Sequence, residues 1–291
     1  TLNVADIALH EAKNAGRNKT ILADPAFIAR QRVRGAFITE LDILTGIENR
    51  EFAYYVQPIY NTKDKRVEGF EALIRWHRKD EIVWTPEAFA ERFNTIFYRP
   101  EYLEIRQSMC CEVLQALTNY PNAYVSWNLE LEQFTGDSFV EAVISTAREL
   151  TKIGHQPIVV EISEEKITDR ANFEAIIPKL EKLREEGMMI ALDGFGSKQS
   201  YINRLSQLPI DIVKLDKSLI DNIEHSRREY AVLRGLAYLL NQLEVEIIAD
   251  GVETSGQARL LNELDIHKHQ GYLYARPSIP SEVLVAGEVS Q

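Results

Sequence analysis

Carboxylates, amides and one lysine recur in this sequence at the polar ends of short, β-rich apolar runs. Glu71 lies in VEGFEALIR (67–75), Asn128 in NAYVSWNLE (122–130), Glu161 in PIVVEISEE (157–165) and Asp193 in MMIALDGFG (188–196). Lys214 lies in IDIVKLDKS (210–218), Asp250 and Glu253 in VEIIADGVE (245–253), and Gln270 in KHQGYLYARP (268–277). A further run, FAYYVQPIY (52–60), precedes them and carries Gln57. Carboxylates gathered at one point repel unless a cation lies between them. Hard oxygen donors such as Glu71, Asn128, Glu161 and Asp193 suit Mg²⁺ or Mn²⁺. A nearby Lys214 would stabilise developing negative charge or orient a water, and Arg75 would pair with a phosphate. Together these groups suit hydrolysis of a phosphoester by a metal-activated water. One acidic strand end is an ordinary solvated residue, whereas a series on successive strands points to a site.

The elements that must position these groups alternate. Helix-like segments at 102–119, 138–150, 171–186 and 227–243 separate most of the strand-like runs. This alternation predicts an α/β fold, a TIM-like (β/α)8 barrel, whose chemistry sits at the C-terminal strand ends. The first two runs are joined only by NTKDKR (61–66). That link is too short for a parallel crossover, so one antiparallel strand is expected near the start. Upstream, residues 1–16 read as an amphipathic helix stopped by Gly16, and 20–23 as a short strand-like run. A second helix is predicted over 26–48, with Phe27, Ile28, Phe37, Ile38, Leu41, Leu44 and Ile47 on its apolar side. The expected division is a segment of another domain at 1–23, a linker helix at 24–50, the barrel at 51–285 and a tail at 286–291.

The chain has 291 residues, 45% of them hydrophobic, enough for a large core. Its net charge of -11 excludes a broad basic face for a nucleic-acid polymer, but not a small phosphorylated ligand held locally. Cys110 and Cys111 are adjacent and unsuited to a mutual structural disulfide, which predicts a reducing, cytoplasmic setting. No apolar run approaches the roughly 18 residues of a membrane span, and no signal peptide is evident, so this fragment is expected to make no membrane contact. The chain begins at Thr1, as a piece cut from a longer protein would. The pair His267 and His269 reads as surface residues rather than zinc ligands, for want of a matching Cys or His cluster. Trp127 is expected to point away from the Asn128 side and to pack.

The stretch Glu71-Ala72-Leu73-Ile74-Arg75-Trp76 resembles the signature of the EAL domain family. That resemblance implies binding of cyclic di-GMP and, in active members, hydrolysis to linear pGpG. Tyr55-Val56-Gln57-Pro58 is similar to the family's opening strand. Asn128, Glu161 with Glu164, Asp193, Lys214, Glu253 and Gln270-Gly271-Tyr272 fall at further family positions, so the likeness spans about residues 26–285. It implies a first metal, Mg²⁺ or Mn²⁺, on Glu71, Asn128, Glu161 and Asp193, with Asp193 bridging to a second. Lys214, Asp250 and Glu253 would form the catalytic group, Gln57, Arg75 and Gln270 would hold or support the ligand, and Glu164 would brace the loop after Asp193. Residues 5–18 resemble the last helix and turn of a GGDEF diguanylate cyclase. This implies a parent protein with GGDEF and sensor domains upstream, its membrane anchoring left open, and the family implies a homodimer.

Three positions depart from the family pattern. Gly194 stands where the family has a second aspartate, Asp250 where it has glutamate, and Lys198 where it has glycine. The first two fall at the second metal. The leading expectation is therefore a domain that recognises cyclic di-GMP with impaired or absent phosphodiesterase activity. An active phosphodiesterase and a nucleotide-free interaction scaffold are the competing readings.

Overall fold

The period-two alternation of a strand decides what lines this protein's interior. The computed structural model describes residues 38–283 apart from 79–82, 98, 131–133, 135, 154–156, 165–169 and 198–201. The expected helix over 1–16, the run at 20–23, the tail at 286–291 and Lys198 lie outside the described residues. The strands are β1 (Phe52–Asn61), β2 (Arg66–His77), β3 (Val83–Trp84), β4 (Tyr124–Leu129), β5 (Ile158–Ser163), β6 (Met189–Phe195), β7 (Ile212–Leu215), β8 (Glu246–Ala249) and β9 (Lys268–Gln270). The helices are α1 (Glu40–Glu48), α2 (Ala90–Phe97), α3 (Leu103–Ala116), α4 (Asp137–Thr151), α5 (Arg170–Glu185), α6 (Ile202–Leu205), α7 (Arg227–Gln242) and α8 (Ser255–Glu263).

The chain divides into two compact units. The first comprises the described parts of 1–53 and 74–99. Here Thr39 is extended and caps α1 with Asp42 in a reciprocal capping box, so α1 starts at Glu40 and the helix expected over 26–48 is interrupted at Thr39, its part at 26–37 lying outside the described residues. Leu41, expected on the apolar side, is 70% exposed, and Ile43 takes the buried position with Ile38 and Ile47. Phe52, Trp76, Phe89 and Phe93 form an aromatic cluster, with Phe52 stacked on Trp76 at 4.9 Å. β3 pairs antiparallel with the end of β2.

The second unit, 54–73 and 100–291, contains the barrel. Its ring runs β1-β9-β8-β7-β6-β5-β4-β2 and closes through β1–β2. β1 is antiparallel to β9, and the pairs from β2 through β9 are parallel. The expected barrel with one reversed strand therefore holds. Ile59, Tyr124, Val159, Ala191, Ile212 and Ile248 form one buried apolar layer inside it. Two residues further along their strands come Glu161, Asp193, Lys214 and Asp250. On the reversed β1 the same step runs backwards and reaches Gln57. The polar layer is thus stacked on the apolar one by strand periodicity alone.

Gly69 makes room for that apolar layer. It lies opposite Tyr124 in register, and a Cβ on it would meet the Tyr124 ring at 2.4 Å. Gly69→Ala should cost about 1–3 kcal/mol by overpacking. Urea denaturation should show this as a lower midpoint, and an unchanged midpoint would mean the ring is free to move aside.

Candidate functional site at the barrel mouth

The polar layer converges on one ammonium. Lys214 Nζ lies 2.8 Å from Glu71 Oε2, 2.8 Å from Glu161 Oε2 and 3.7 Å from Asp193 Oδ1. Lys214 is 1% exposed and Glu161 1%. Asn128 Nδ2 donates to Glu71 Oε1 at 2.7 Å, and Gln270 Nε2 donates to Glu71 Oε2 at 2.7 Å. Gln270 Nε2 also lies 3.2 Å from Gln57 Oε1, and Gln57 Nε2 donates to the Ala275 carbonyl at 3.1 Å. Seven of the candidate residues thus share one contiguous set of hydrogen bonds and ion contacts: Glu71, Asn128, Glu161, Asp193, Lys214, Gln270 and Gln57.

The electrostatics follow from burial and neighbours. Burial pushes the Glu161 carboxyl up to about 8, helped by the charges of Glu71 and Asp193 and opposed by Lys214. Burial likewise raises Asp250 to about 6, against Lys214 and with the like charges of Glu71 and Asp193. Asp193 is raised mainly by burial, against Lys214. For Glu71 burial also acts upward, but Lys214, Gln270 and Asn128 outweigh it and hold the carboxyl below its ordinary value. Glu71 and Glu161 differ, although both touch Lys214, because Glu71 has two additional amide donors. Burial would lower Lys214, but Glu161, Glu71, Asp193 and Asp250 together hold it well above the usual lysine range.

The remaining candidates are placed as follows. Glu164 Oε2 accepts the Gly196 amide at 3.0 Å, just beyond β6. Asp250 Oδ1 accepts the amide of its own neighbour Gly251 at 2.7 Å. Glu253 is half exposed and its carboxylate pairs with Lys217. Arg75 lies in the first unit, where its Nη1 donates to the Ile74 carbonyl at 2.9 Å. Gly194 sits at a bulge: β6 advances from Leu192 to Phe195 while β7 advances only from Val213 to Leu215. Its φ of +70° is a left-handed value, and a Cβ there would have only Ser197 Oγ within 4 Å, at 3.9 Å.

Two residues that sequence reasoning passed over matter to the site. Lys217 holds Glu253. Gln257 Oε1 accepts the amides of Glu253 and Thr254 at 2.8 and 3.0 Å, while its Nε2 donates to the Ile220 carbonyl at 3.3 Å. The Thr254-x-x-Gln257 capping box was legible as a helix start. His269 corrects an expectation: it is wholly buried, not at the surface, with a partner for each ring nitrogen. Trp127 is buried.

Among the described residues no three His, Cys, Asp or Glu side chains stand ready to hold a metal ion. The Lys214 ammonium occupies their point of convergence. The donor set itself fits a hard divalent cation, since Glu71, Glu161, Asp193 and Asp250 confront a single buried positive charge.

The EAL domain family matches residues 40–277. The Pseudomonas aeruginosa protein described as cyclic di-GMP phosphodiesterase NbdA is similar at 28% identity over 284 residues, 95% of this chain and 35% of that protein. The Escherichia coli protein described as probable cyclic di-GMP phosphodiesterase PdeB is 29% identical over 237 residues, 81% of this chain and 44% of that protein. The chain therefore spans less than half the length of these curated relatives. Among solved structures, PaMucR phosphodiesterase in its c-di-GMP complex superposes with a TM-score of 0.72 at 25% identity, covering 84% of this chain and 98% of that one.

A pH dependence follows from Glu161. Its ordinary value is 4.5, so between 4.5 and about 8 the folded protein keeps a proton that the unfolded chain has released. Stability therefore falls as pH rises through that window. His269, lowered to about 4 chiefly by burial, acts with the opposite sign below its ordinary 6.5. Between pH 6.5 and 8 the melting temperature in EDTA should fall, and Glu161→Gln should flatten the slope. A melting temperature that climbs over this interval in the unaltered chain would refute the Glu161 shift.

Proposed function

The chain belongs to the EAL domain family, and on that premise we propose that it recognises cyclic di-GMP and hydrolyses it slowly or not at all. The observation that carries this reading is Gly194. It leaves the bulge after Asp193 without a second carboxylate, while Glu71, Asn128, Glu161 and Lys214 remain joined beside it. Glu71, Asn128, Glu161 and Asp193 would hold a first Mg²⁺ or Mn²⁺. A divalent cation bound there would supply Lewis acidity and a reactive water near neutral pH. A second ion would find little: no side chain at 194, a shortened Asp250 bonded to its own neighbour's amide, and Glu253 paired with Lys217.

The chain's own groups suit ligand recognition. Gln57 and Gln270 are buried amides with one hydrogen-bonded orientation each, and Arg75 is the guanidinium suited to a phosphate. Lys214 compensates carboxylates that would otherwise repel. Similarity to proteins described as cyclic di-GMP phosphodiesterases supports the choice of ligand. An active phosphodiesterase is the second reading, favoured by Asp250, whose charge still acts on Lys214. In the parent protein, residues 1–23 would be the tail of a GGDEF-like domain, 24–50 a linker that ends in α1, and 51–285 a barrel that pairs as a homodimer in the cytoplasm. Among the described residues no helix is long and apolar enough to cross a membrane.

Calorimetric titration with cyclic di-GMP in Ca²⁺ should show binding, and replacement by Mg²⁺ or Mn²⁺ should yield little pGpG. A Cβ at position 194 would meet nothing nearer than Ser197 Oγ, and aspartate is among the residues that best bear the strain of a positive φ, which makes Gly194→Asp the variant to test. It should raise turnover on the order of tenfold to a hundredfold with affinity retained. Rapid pGpG formation by the unaltered chain would overturn the impaired-enzyme reading, and absence of binding would overturn the ligand.

A further inference from the structure

The strand that carries Gln270 is tied at both flanks by its neighbour. His269 is wholly buried, with Nε2 2.9 Å from the Ile266 carbonyl and Nδ1 2.7 Å from the Tyr274 hydroxyl. A carbonyl only accepts, so Nε2 carries the ring proton and Nδ1 accepts from Tyr274. One neutral imidazole thus joins the segment entering β9 to the loop leaving it. Tyr274 is held further by stacking on Tyr60, with ring centroids 5.1 Å apart and planes 22° apart. The residue after Tyr274 presents the carbonyl that accepts from Gln57 Nε2 at 3.1 Å. Gln57 Oε1 in turn receives Gln270 Nε2, which also reaches Glu71 Oε2. Gln270 Oε1 is buried and has no hydrogen-bond partner among the described residues, which leaves one oriented acceptor at the site.

We propose that His269 is a positioning residue. By fixing Tyr274 it sets the Ala275 carbonyl, and through Gln57 it fixes the rotamer of Gln270 and the orientation of the Glu71 carboxylate. A packing residue of similar volume would fill the space but could not bridge Ile266 to Tyr274. The consequence for ligand affinity rests on the cyclic di-GMP reading above, whereas the relay itself does not.

The test uses ¹⁵N-labelled chain and two readouts. Three variants are compared: His269→Leu removes both bonds, Tyr274→Phe removes one hydroxyl and keeps the stack on Tyr60, and His269→Gln restores a donor and an acceptor. In His269→Leu and Tyr274→Phe the side-chain amide resonances of Gln57 and Gln270 should shift. Cyclic di-GMP affinity in Ca²⁺, measured where each variant is fully folded, should weaken on the order of tenfold, the worth of about one oriented hydrogen bond. His269→Gln should return both readouts towards the unaltered chain. Unmoved amide resonances in folded Tyr274→Phe and His269→Leu overturn the relay, as does a His269→Gln variant no better than His269→Leu. If His269→Leu fails to fold, Tyr274→Phe decides alone. If the unaltered chain binds no nucleotide, the functional reading falls and the amide resonances still judge the relay.

Discussion

A single buried ammonium is the constraint on which this structure turns. Lys214 is removed from water on β7, in the middle of a ring whose neighbouring strands carry acids. Burying a lysine alone would cost several kcal/mol, and burying an ionised Glu71 without it would cost as much again, while Glu161 eases its own burial by keeping its proton up to about pH 8. Each charge is tolerable only because the others are there. The strand registers that bring them together are therefore coupled to the electrostatics. A one-residue slip of any strand would turn its charged side chain out of the interior and leave the rest uncompensated.

The apolar layer beneath explains why the cluster stays at one end. Ile59, Val159, Ala191, Ile212 and Ile248 fill the barrel next to the polar layer, and Gly69 gives its volume to the Tyr124 ring. That plug limits solvent to the mouth and lowers the local dielectric, which is the cause of the raised Glu161 and Asp250 values. Packing and chemistry are adjacent layers of the same strands. Among the described residues the parallel ladder has its one irregularity in the bulge between Leu192 and Phe195, at Asp193 and Gly194, where the acidic set is interrupted.

The loops beyond the strands add a second level of order. Gln257 binds the start of α8 to the turn after β7, Lys217 reaches Glu253, and Glu224 accepts from the Thr254 hydroxyl at 2.5 Å. These ties link the loops after β7 and β8 and hold Glu253 beside Lys217, in a half-exposed pair that salt would screen. Buried amides at Gln57, Gln257 and Gln270 do the corresponding work without charge, and so persist at any ionic strength.

Much of this was legible in the residues alone. The apolar runs gave the strand positions, the short 61–66 link gave the reversed first strand, and acids at run ends marked one mouth, because alternation and chain length are local properties. Gly194 and Asp250 could be singled out only by their departure from the pattern of the family the sequence resembles. What the residues alone could not supply were the partners. Lys214 could have faced solvent or a phosphate, yet it sits among carboxylates. His269 reads as a surface residue until the ends of β9 are seen to fold around it. Leu41 looks apolar-facing until the Thr39 capping box resets the helix start and its face. These outcomes depend on which distant segments meet, and the free energy of burying a charge or an imidazole is fixed by those neighbours rather than by the residue itself. The sequence by itself determined the barrel and the list of groups at its mouth. Only the tertiary structure decided their pairing, because desolvation and hydrogen bonding are properties of an assembled site.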